Sequence, residues 1–269
     1  MNSFDINFSF EILPQKCGFY SMLKYLNNKA SQTFVSIPNK NNMSYTDMLK
    51  YSSLIKNRYN LKSIPVLSCS NLTKKNTLIF LEKMIETDLT NLLVVSGDQK
   101  ITKEFLFADQ LISFINQQYK KFKIFAPCYP ESHPLSKNLN DDIYYIKMKI
   151  AFGVSKLITQ TCYDYKLIYS FVESCYKHSI NIPIIIGYMP IYSKKQIEFL
   201  QKFGKVTITK DILHLLDKYE ESSLDLYNAC VEYTIEEFHK LLPLGFNNIH
   251  IFTMNNLYVT KKIINDMCI

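Results

Sequence analysis

Two carboxylates and one histidine stand where a proton could be donated or a cation stabilised. Glu11 ends the alternating segment FSFE, Asp98 follows the apolar stretch LLVVSG, and His133 lies between two prolines in YPESHP. A carboxyl group that is partly buried without a basic neighbour acquires a raised pKa and becomes a credible general acid near neutral pH. Imidazole titrates in the same range. The residue types therefore point to acid–base chemistry.

The alternation of the first apolar run places Glu11. Its side chain shares one face of the run with Ser9, whereas Phe8 and Phe10 share the other. Successive side chains of a strand point to opposite sides, so Glu11 is expected to point into the mouth of a barrel. The alternative is a barrel-lining carboxylate that pairs with a lysine.

Asp98 and His133 also have ordinary structural explanations. Aspartate is favoured in turns, and Gly97 before Asp98 lets the backbone turn tightly or approach a planar ligand. A histidine beside proline fits a capped loop as well as a binding site. From the residues alone, both explanations stay open.

The elements that must position these residues alternate along the chain. Eight short apolar runs are predicted as strands, at 7–13, 33–37, 62–67, 91–95, 123–126, 156–159, 182–188 and 248–253. Helices are predicted at 22–28, 45–59, 74–86, 107–120, 141–152, 164–178, 194–203, 211–218, 224–242 and 258–266. Three of these helices, at 194–203, 211–218 and 224–242, fall between the last two strands, so an extra helix is predicted there.

Eight βα units in this length predict an α/β fold, a (β/α)8 TIM barrel, because an open doubly wound sheet usually stops earlier. The chain has six glycines and no G-x-G-x-x-G or G-x-x-x-x-G-K pattern, which excludes the dinucleotide-binding and P-loop fingerprints. No linker or repeat divides it, so one domain is expected over residues 1–269. Reactive groups of such barrels lie at the carboxyl ends of the strands.

The amino-acid composition excludes further classes of protein. Of 31 basic residues only Arg58 is an arginine, and the lysines that give the net charge of +7 are scattered. Scattered lysines indicate a solvated surface and no nucleic-acid partner. The seven cysteines form no C-x-x-C pair, so we expect neither a metal site nor disulfides. No membrane span or leader pattern is found, and a cytoplasmic protein is expected.

Several segments in register with the predicted strands resemble methylenetetrahydrofolate reductase. They are FSFEILP at 8–14, SGD at 96–98, APCYPESHP at 126–134, LITQ at 157–160, IGYMP at 186–190, Gln196, and HIFTMN at 250–255. The resemblance covers nearly the whole chain. It implies a barrel of the bacterial catalytic-domain type that uses FAD and either NADH or NADPH to reduce 5,10-methylenetetrahydrofolate to 5-methyltetrahydrofolate, in one-carbon metabolism that feeds methionine synthesis. It also implies a homo-oligomer.

The resemblance assigns roles residue by residue. Glu11 matches the acid that protonates the folate as its five-membered ring opens, and Asp98 matches the aspartate between flavin and pterin. Flavin-contacting positions are matched by Gly97, Asp98, Ala108, Tyr129, His133, Asp142 and Lys149. Substrate-binding positions are matched by Asp98, Gln160 and Gln196.

Other positions depart from the family pattern. They are Gln15, the turn Pro38-Asn39-Lys40, Val66, Ser96, Tyr145, Leu200 and Asn256. The departures leave open a catalytically impaired regulatory homologue that binds folate or flavin. A third hypothesis, another barrel enzyme such as an aldolase or a flavin oxidoreductase of a different substrate class, is disfavoured because no strand-end lysine is available as a nucleophile.

Overall fold

Eight parallel strands close into a barrel in chain order, so that the last strand pairs with the first. The computed structural model describes residues 6–28, 34–39, 43–97, 104–203, 205–221 and 223–267. The strands are β1 (Asn7–Glu11), β2 (Phe34–Ile37), β3 (Lys62–Ser68), β4 (Asn91–Val95), β5 (Lys123–Cys128), β6 (Val154–Thr159), β7 (Ile184–Tyr188) and β8 (Asn248–Phe252).

Helices surround the barrel and alternate with its strands. They are α1 (Phe19–Asn27), α2 (Tyr45–Tyr59), α3 (Lys74–Glu86), α4 (Ala108–Gln118), α5 (Leu139–Ala151), α6 (Tyr165–Lys177), α7 (Lys194–Phe203), α8 (Lys210–Lys218), α9 (Leu224–Leu241) and α10 (Leu257–Met267). The predicted TIM barrel with extra helical structure before the last strand is confirmed: three helices, α7, α8 and α9, lie between β7 and β8, two more than a βα unit needs.

Short polar side chains fix where many helices begin. The N-cap residues of α2, α3, α5, α8 and α9 each accept a hydrogen bond from the backbone N–H three positions later; they are Ser44, Thr73, Asn138, Thr209 and Ser223. Such a bond satisfies one of the N–H groups that a helix start leaves without a partner. The predicted bounds of α2, α3 and β4 are those observed.

Seven predicted bounds were wrong by two or three residues: the ends of β1, α4 and β5 and the starts of α1, α5, β6 and β7. Three of them have a visible structural reason. Helix α1 begins at Phe19, directly after Gly18 at φ 86, where the left-handed conformation turns the chain. Strand β1 stops at Glu11, and just beyond it the N–H of Leu13 donates to the side chain of Asn255 instead of to a strand. Strand β6 begins at Val154 through an irregular register with β5.

Six apolar side chains fill the interior of the barrel. Ile64, Phe125, Ile158 and Ile185 form a buried cluster, and Phe34 and Leu93 pack against it. We call these six residues the barrel plug. They come from β2 to β7, and because side chains alternate, they mark which residues of each strand point inward.

The opposite faces of the strands pack against the helices and form the larger hydrophobic core. Phe10, Ile12 and Val35 belong to it together with Met22 and Leu23 of α1. Within the described ranges, no helix is both long and apolar enough to cross a membrane.

Candidate active site

Glu11 stands at the carboxyl end of β1, between the ends of two neighbouring strands. Its Cα is paired with Ser36 on β2 and with Phe252 on β8. The hydroxyl of Thr253 donates to the carbonyl oxygen of Glu11 at 2.7 Å. Glu11 shares the inward face of β1 with Ser9, and its residue is half-buried. This arrangement fixes the backbone of Glu11 at the carboxyl end of β1 and on the inward face of the strand.

A buried imidazole braces the strands directly below Glu11. His250 on β8 is 1% exposed; its Nδ1 lies 2.8 Å from the Ser9 hydroxyl on β1, and its Nε2 lies 3.1 Å from the Ser36 hydroxyl on β2. The ring therefore reaches across β1 from one neighbouring strand to the other. Burial lowers the pKa of His250 to about 3, so the brace is uncharged at neutral pH.

Both ring nitrogens of this imidazole have a serine partner. In neutral imidazole one nitrogen donates and the other accepts, and a hydroxyl can match either role. The Ser9 hydroxyl also lies 3.4 Å from the carbonyl oxygen of Ile249. The aromatic ring of Phe34 stacks on the imidazole at 5.4 Å between centroids.

The turn after β4 brings the backbone close to two serine hydroxyls. Gly97 adopts φ 79, and a Cβ atom there would overlap the hydroxyl oxygens of Ser68 and Ser70. Only glycine fits this place. The Ser96 hydroxyl accepts from the N–H of Ala108 at 3.2 Å, which joins the turn to the start of α4. Asp98 lies outside the described residues.

The β5–α5 loop is organised by Asp142. One carboxylate oxygen accepts from the N–H of His133 at 3.0 Å, and the other accepts from the Ser136 hydroxyl at 2.6 Å. The rings of Tyr129 and His133 pack edge to face with centroids 4.6 Å apart. Burial lowers the pKa of His133, and the Lys149 ammonium lowers it further, while Asp142 opposes both.

The ammonium group of Lys149 lies near the carboxyl end of β5. Its ammonium donates to the carbonyl oxygen of Pro127 at 3.3 Å, and within the described part of the chain it makes no salt bridge with a carboxylate. Burial lowers the pKa of Lys149, and Cys128, Asp109, Asp142 and Cys69 act in the opposite direction. A desolvated ammonium whose bonded partner is a neutral carbonyl suits an anionic ligand.

The two glutamines predicted to bind substrate differ in their surroundings. Gln160 directly follows β6, and its side-chain oxygen accepts from the N–H of Thr161 at 3.1 Å. Gln196 is buried in α7; its Nε2 donates to the carbonyl of Pro190 at 2.9 Å and its Oε1 accepts from the N–H of Tyr192 at 2.9 Å. The Gln196 amide thus holds the β7–α7 loop in place.

Glu131 ties two loops of the barrel mouth together. Both of its carboxylate oxygens accept from the backbone N–H of Thr207, at 3.0 and 2.9 Å, and one also accepts from the Thr207 hydroxyl. Thr207 lies between α7 and α8. The contact joins the β5–α5 loop, which carries Tyr129 and His133, to the extra helices of this chain.

Sequence reasoning missed the polar brace of Ser9, Ser36 and His250. The alternation of β1 already put Ser9 on the face of Glu11, and His250 opens the HIFTMN segment. That these two residues meet depends on the pairing of β1 with β8, which only the closed barrel provides.

A sequence model of one family matches nearly all of the chain. The family is methylenetetrahydrofolate reductase, and the match covers residues 1–268. A relative named methylenetetrahydrofolate reductase (NADH) 1, from Arabidopsis thaliana, is 26% identical over 92% of this chain and 46% of its own length. A 5,10-methylenetetrahydrofolate reductase from Buchnera aphidicola subsp. Acyrthosiphon pisum is 28% identical over 65% of this chain and 60% of its own length. The chain thus spans about half the length of these relatives.

A solved structure shares the fold over almost the full length of both chains. It is a protein from Clostridium thermocellum that binds two copies of 5-methyl-5,6,7,8-tetrahydrofolic acid. The TM-score is 0.68 at 17% identity, with 98% of this chain and 94% of that chain covered. At this identity the likeness shows the fold alone. From the match over residues 1–268, this chain belongs to the methylenetetrahydrofolate reductase family.

Proposed function

We propose that the chain is a flavin-dependent reductase that converts 5,10-methylenetetrahydrofolate to 5-methyltetrahydrofolate at the expense of NADH or NADPH. The observation that carries the proposal is the position of Glu11, inward-facing at the carboxyl end of β1 and fixed from both neighbouring strands. In a (β/α)8 barrel, reactive groups stand at this end of the strands. Family membership supplies the substrate class.

The residues of the barrel mouth fit FAD. The desolvated ammonium of Lys149 suits the diphosphate, because a point charge with three donors binds phosphate oxygens well. Gly97 has no side chain at a place where one would clash with Ser68 and Ser70, so a planar ligand can approach the backbone there. Tyr129 supplies an aromatic ring beside His133. Bound FAD would supply two-electron hydride chemistry.

The chain's own residues then act on the folate. We assign to Glu11 the donation of its carboxyl proton to the folate nitrogen that leaves the methylene carbon when the five-membered ring opens. Asp98, by resemblance, stabilises the cation that this opening creates. The neutral His250 beneath Glu11 adds no positive charge that would favour the carboxylate over the acid.

The test separates the two halves of the reaction in the Glu11→Gln variant. We expect folate turnover to fall by about 10²–10⁴-fold, the usual contribution of a general acid, while anaerobic bleaching of the flavin by NADH keeps its rate. Glu82→Gln, at an exposed position of α3, is the matched control and should change neither rate. Loss of both half-reactions, or of neither, contradicts the role of Glu11.

A non-catalytic homologue that binds folate or flavin is the second candidate. The observation that favours it is the Gln196 amide, whose oxygen and nitrogen already bond the backbone of the β7–α7 loop. A colourless protein that cannot be reconstituted with FAD but binds 5-methyltetrahydrofolate would select this candidate.

A further inference from the structure

The opposite, amino-terminal end of the barrel carries a layer of polar residues on four consecutive strands. Each lies two positions before an inward-facing member of the barrel plug, so alternation puts it on the same inward face, one layer nearer the end. The pairs are Lys62 before Ile64 on β3, Asn91 before Leu93 on β4, Lys123 before Phe125 on β5, and Lys156 before Ile158 on β6. We call Lys62, Asn91, Lys123 and Lys156 the basal layer.

Contacts of the lysines agree with this inward direction. The Lys156 ammonium lies 5.6 Å from the centroid of the Phe125 ring, a plug residue. Burial lowers the pKa of Lys62, and the ammonium groups of Lys156 and Lys123 lower it further. Three cations from different strands therefore repel one another across the end of the barrel.

No carboxylate neutralises these cations in the described part of the chain. None of the three lysines forms a salt bridge there. The adjacent inward positions of β1 and β8, two residues before Ser9 and His250, carry the amides Asn7 and Asn248. The basal layer is thus lined by cations and amides, which is the donor set that binds an anion.

Asn91 adds an unsatisfied polar group to the layer. Asn91 is 8% exposed, and its Oδ1 is buried with no hydrogen-bond partner among the described residues. Its Nδ2 lies 3.2 Å from the Thr90 hydroxyl oxygen. The two ends of a carboxamide are interchangeable in shape. With the amide rotated by half a turn, Oδ1 accepts from Thr90 and an NH2 donor takes the unpartnered position. A buried donor without a partner costs free energy that a bound anion would recover.

We propose that the amino-terminal mouth of the barrel is a second binding site, which takes a small polyvalent oxyanion, a phosphate ester or a polycarboxylate, on Lys62, Lys123, Lys156 and the amide of Asn91. Lysine ammoniums bind such oxygens as point charges and need no arginine. The barrel plug and the His250 brace separate this site from Glu11, so it is independent of the proposed reaction.

The test is equilibrium binding of sodium tripolyphosphate and of citrate to the whole chain, at an ionic strength held constant with sodium chloride. Calorimetry should show one saturable site per chain, and the same anion should raise the unfolding midpoint. We expect Lys123→Gln to weaken binding about tenfold or more, the loss of one charge-assisted contact. Lys202→Gln, at an exposed position of α7, should leave the affinity unchanged.

Further binding measurements decide which end of the barrel binds the anion and which class of anion is preferred. Lys149→Gln should leave the binding of the anion intact; if it abolishes binding and Lys123→Gln does not, the anion occupies the upper mouth and the proposal is wrong. Equal weakening by Lys123→Gln and Lys202→Gln means diffuse attraction to a basic protein, an adventitious ion only, and also overturns it. Preference for tripolyphosphate over citrate identifies a phosphate site, and the reverse identifies a carboxylate site.

Low ionic strength gives a readout that needs no ligand. Because the three ammoniums repel one another, Lys123→Gln should not lower the unfolding midpoint of the anion-free chain, and adding salt should stabilise wild type more than the variant. If the variant is less stable than wild type at low salt, Lys123 has a stabilising partner within the chain. That result contradicts the proposal that the lysines of the basal layer repel one another until an anion binds.

Discussion

Nδ1 of His250 lies 2.8 Å from the hydroxyl of Ser9, one inward position below Glu11 on the same strand. The two residues are 241 positions apart in the chain and meet because β8 closes the barrel against β1. With Ser36 on the other side, the imidazole makes a neutral, fully bonded polar floor under the proposed acid. The first two predictions concern this floor.

Ser36→Ala removes the hydroxyl that bonds Nε2 of His250 and leaves a buried ring nitrogen without this partner. We expect the free energy of unfolding to fall by about 1–3 kcal/mol, measured by urea denaturation. Ser63→Ala is the matched control, because Ser63 is a buried residue of β3 whose hydroxyl has no partner in the described structure. Its loss should cost less than about 1 kcal/mol. Similar losses in the two variants would show that the Ser36 bond contributes nothing.

His250 should make stability fall in weak acid. Its folded pKa of about 3 lies below the ordinary 6.5, so below pH 6.5 the unfolded chain binds a proton that the folded chain refuses. The contribution is fully present above pH 6.5 and is lost progressively towards pH 3. Between pH 7 and pH 5 it amounts to about 2 kcal/mol.

The measurement for His250 is urea denaturation at several pH values, compared with His250→Gln, which keeps the carboxylates and removes this titration. Over this range the free energy of unfolding should depend less on pH in the variant than in wild type. A direct readout is the NMR titration of the imidazole, which should stay neutral at pH 5; an imidazole that titrates near pH 6.5 would contradict its burial.

Gly97→Ala should destabilise the turn after β4 by about 2–4 kcal/mol, since it adds both a left-handed alanine and a clash. The added methyl would meet the hydroxyls of Ser68 and Ser70. Gly245→Ala is the control that isolates the backbone cost. Gly245 has φ 86, and apart from its two chain neighbours no described residue has an atom within 4 Å of the place that an added methyl group would take. It should cost about 1 kcal/mol. Equal costs would mean that the serines move aside.

Lys149→Gln should weaken FAD binding about tenfold or more, because it removes a charge-assisted contact to the diphosphate. The measurement is the visible absorbance retained per chain after dialysis, followed by titration with FAD. Lys147→Gln changes an exposed lysine of the same helix and should retain the flavin. Full flavin retention in both variants would remove Lys149 from the proposed cofactor site.

Glu131→Ala should release the segment between α7 and α8. With its acceptor gone, the amide of Thr207 should exchange its hydrogen at least about tenfold faster, as expected when a bond of about 1.5 kcal/mol or more is lost. Hydrogen exchange read by mass spectrometry provides the measurement, and Glu82→Ala serves as the control. An unchanged exchange rate at Thr207 would show that other contacts hold this segment.

Local pattern was enough to predict the architecture. Apolar runs such as β4 and amphipathic stretches such as α2 carry their own period of two or 3.6 residues, and eight such units leave few folds to choose from. N-cap residues determine several helix starts, and they too act on residues close by in the chain. Two of the bounds that differed depend on features with no period: the left-handed Gly18 and the bond from Leu13 to Asn255.

The sequence by itself determined the fold class, the family and the inward face of Glu11, because each depends on residues close together in the chain. The tertiary structure decided which distant residues meet: His250 with Ser9 and Ser36, and the lysines of the basal layer with one another. Those contacts depend on strand register and on closure of the barrel. Closure joins the two ends of the chain, and no local pattern encodes it.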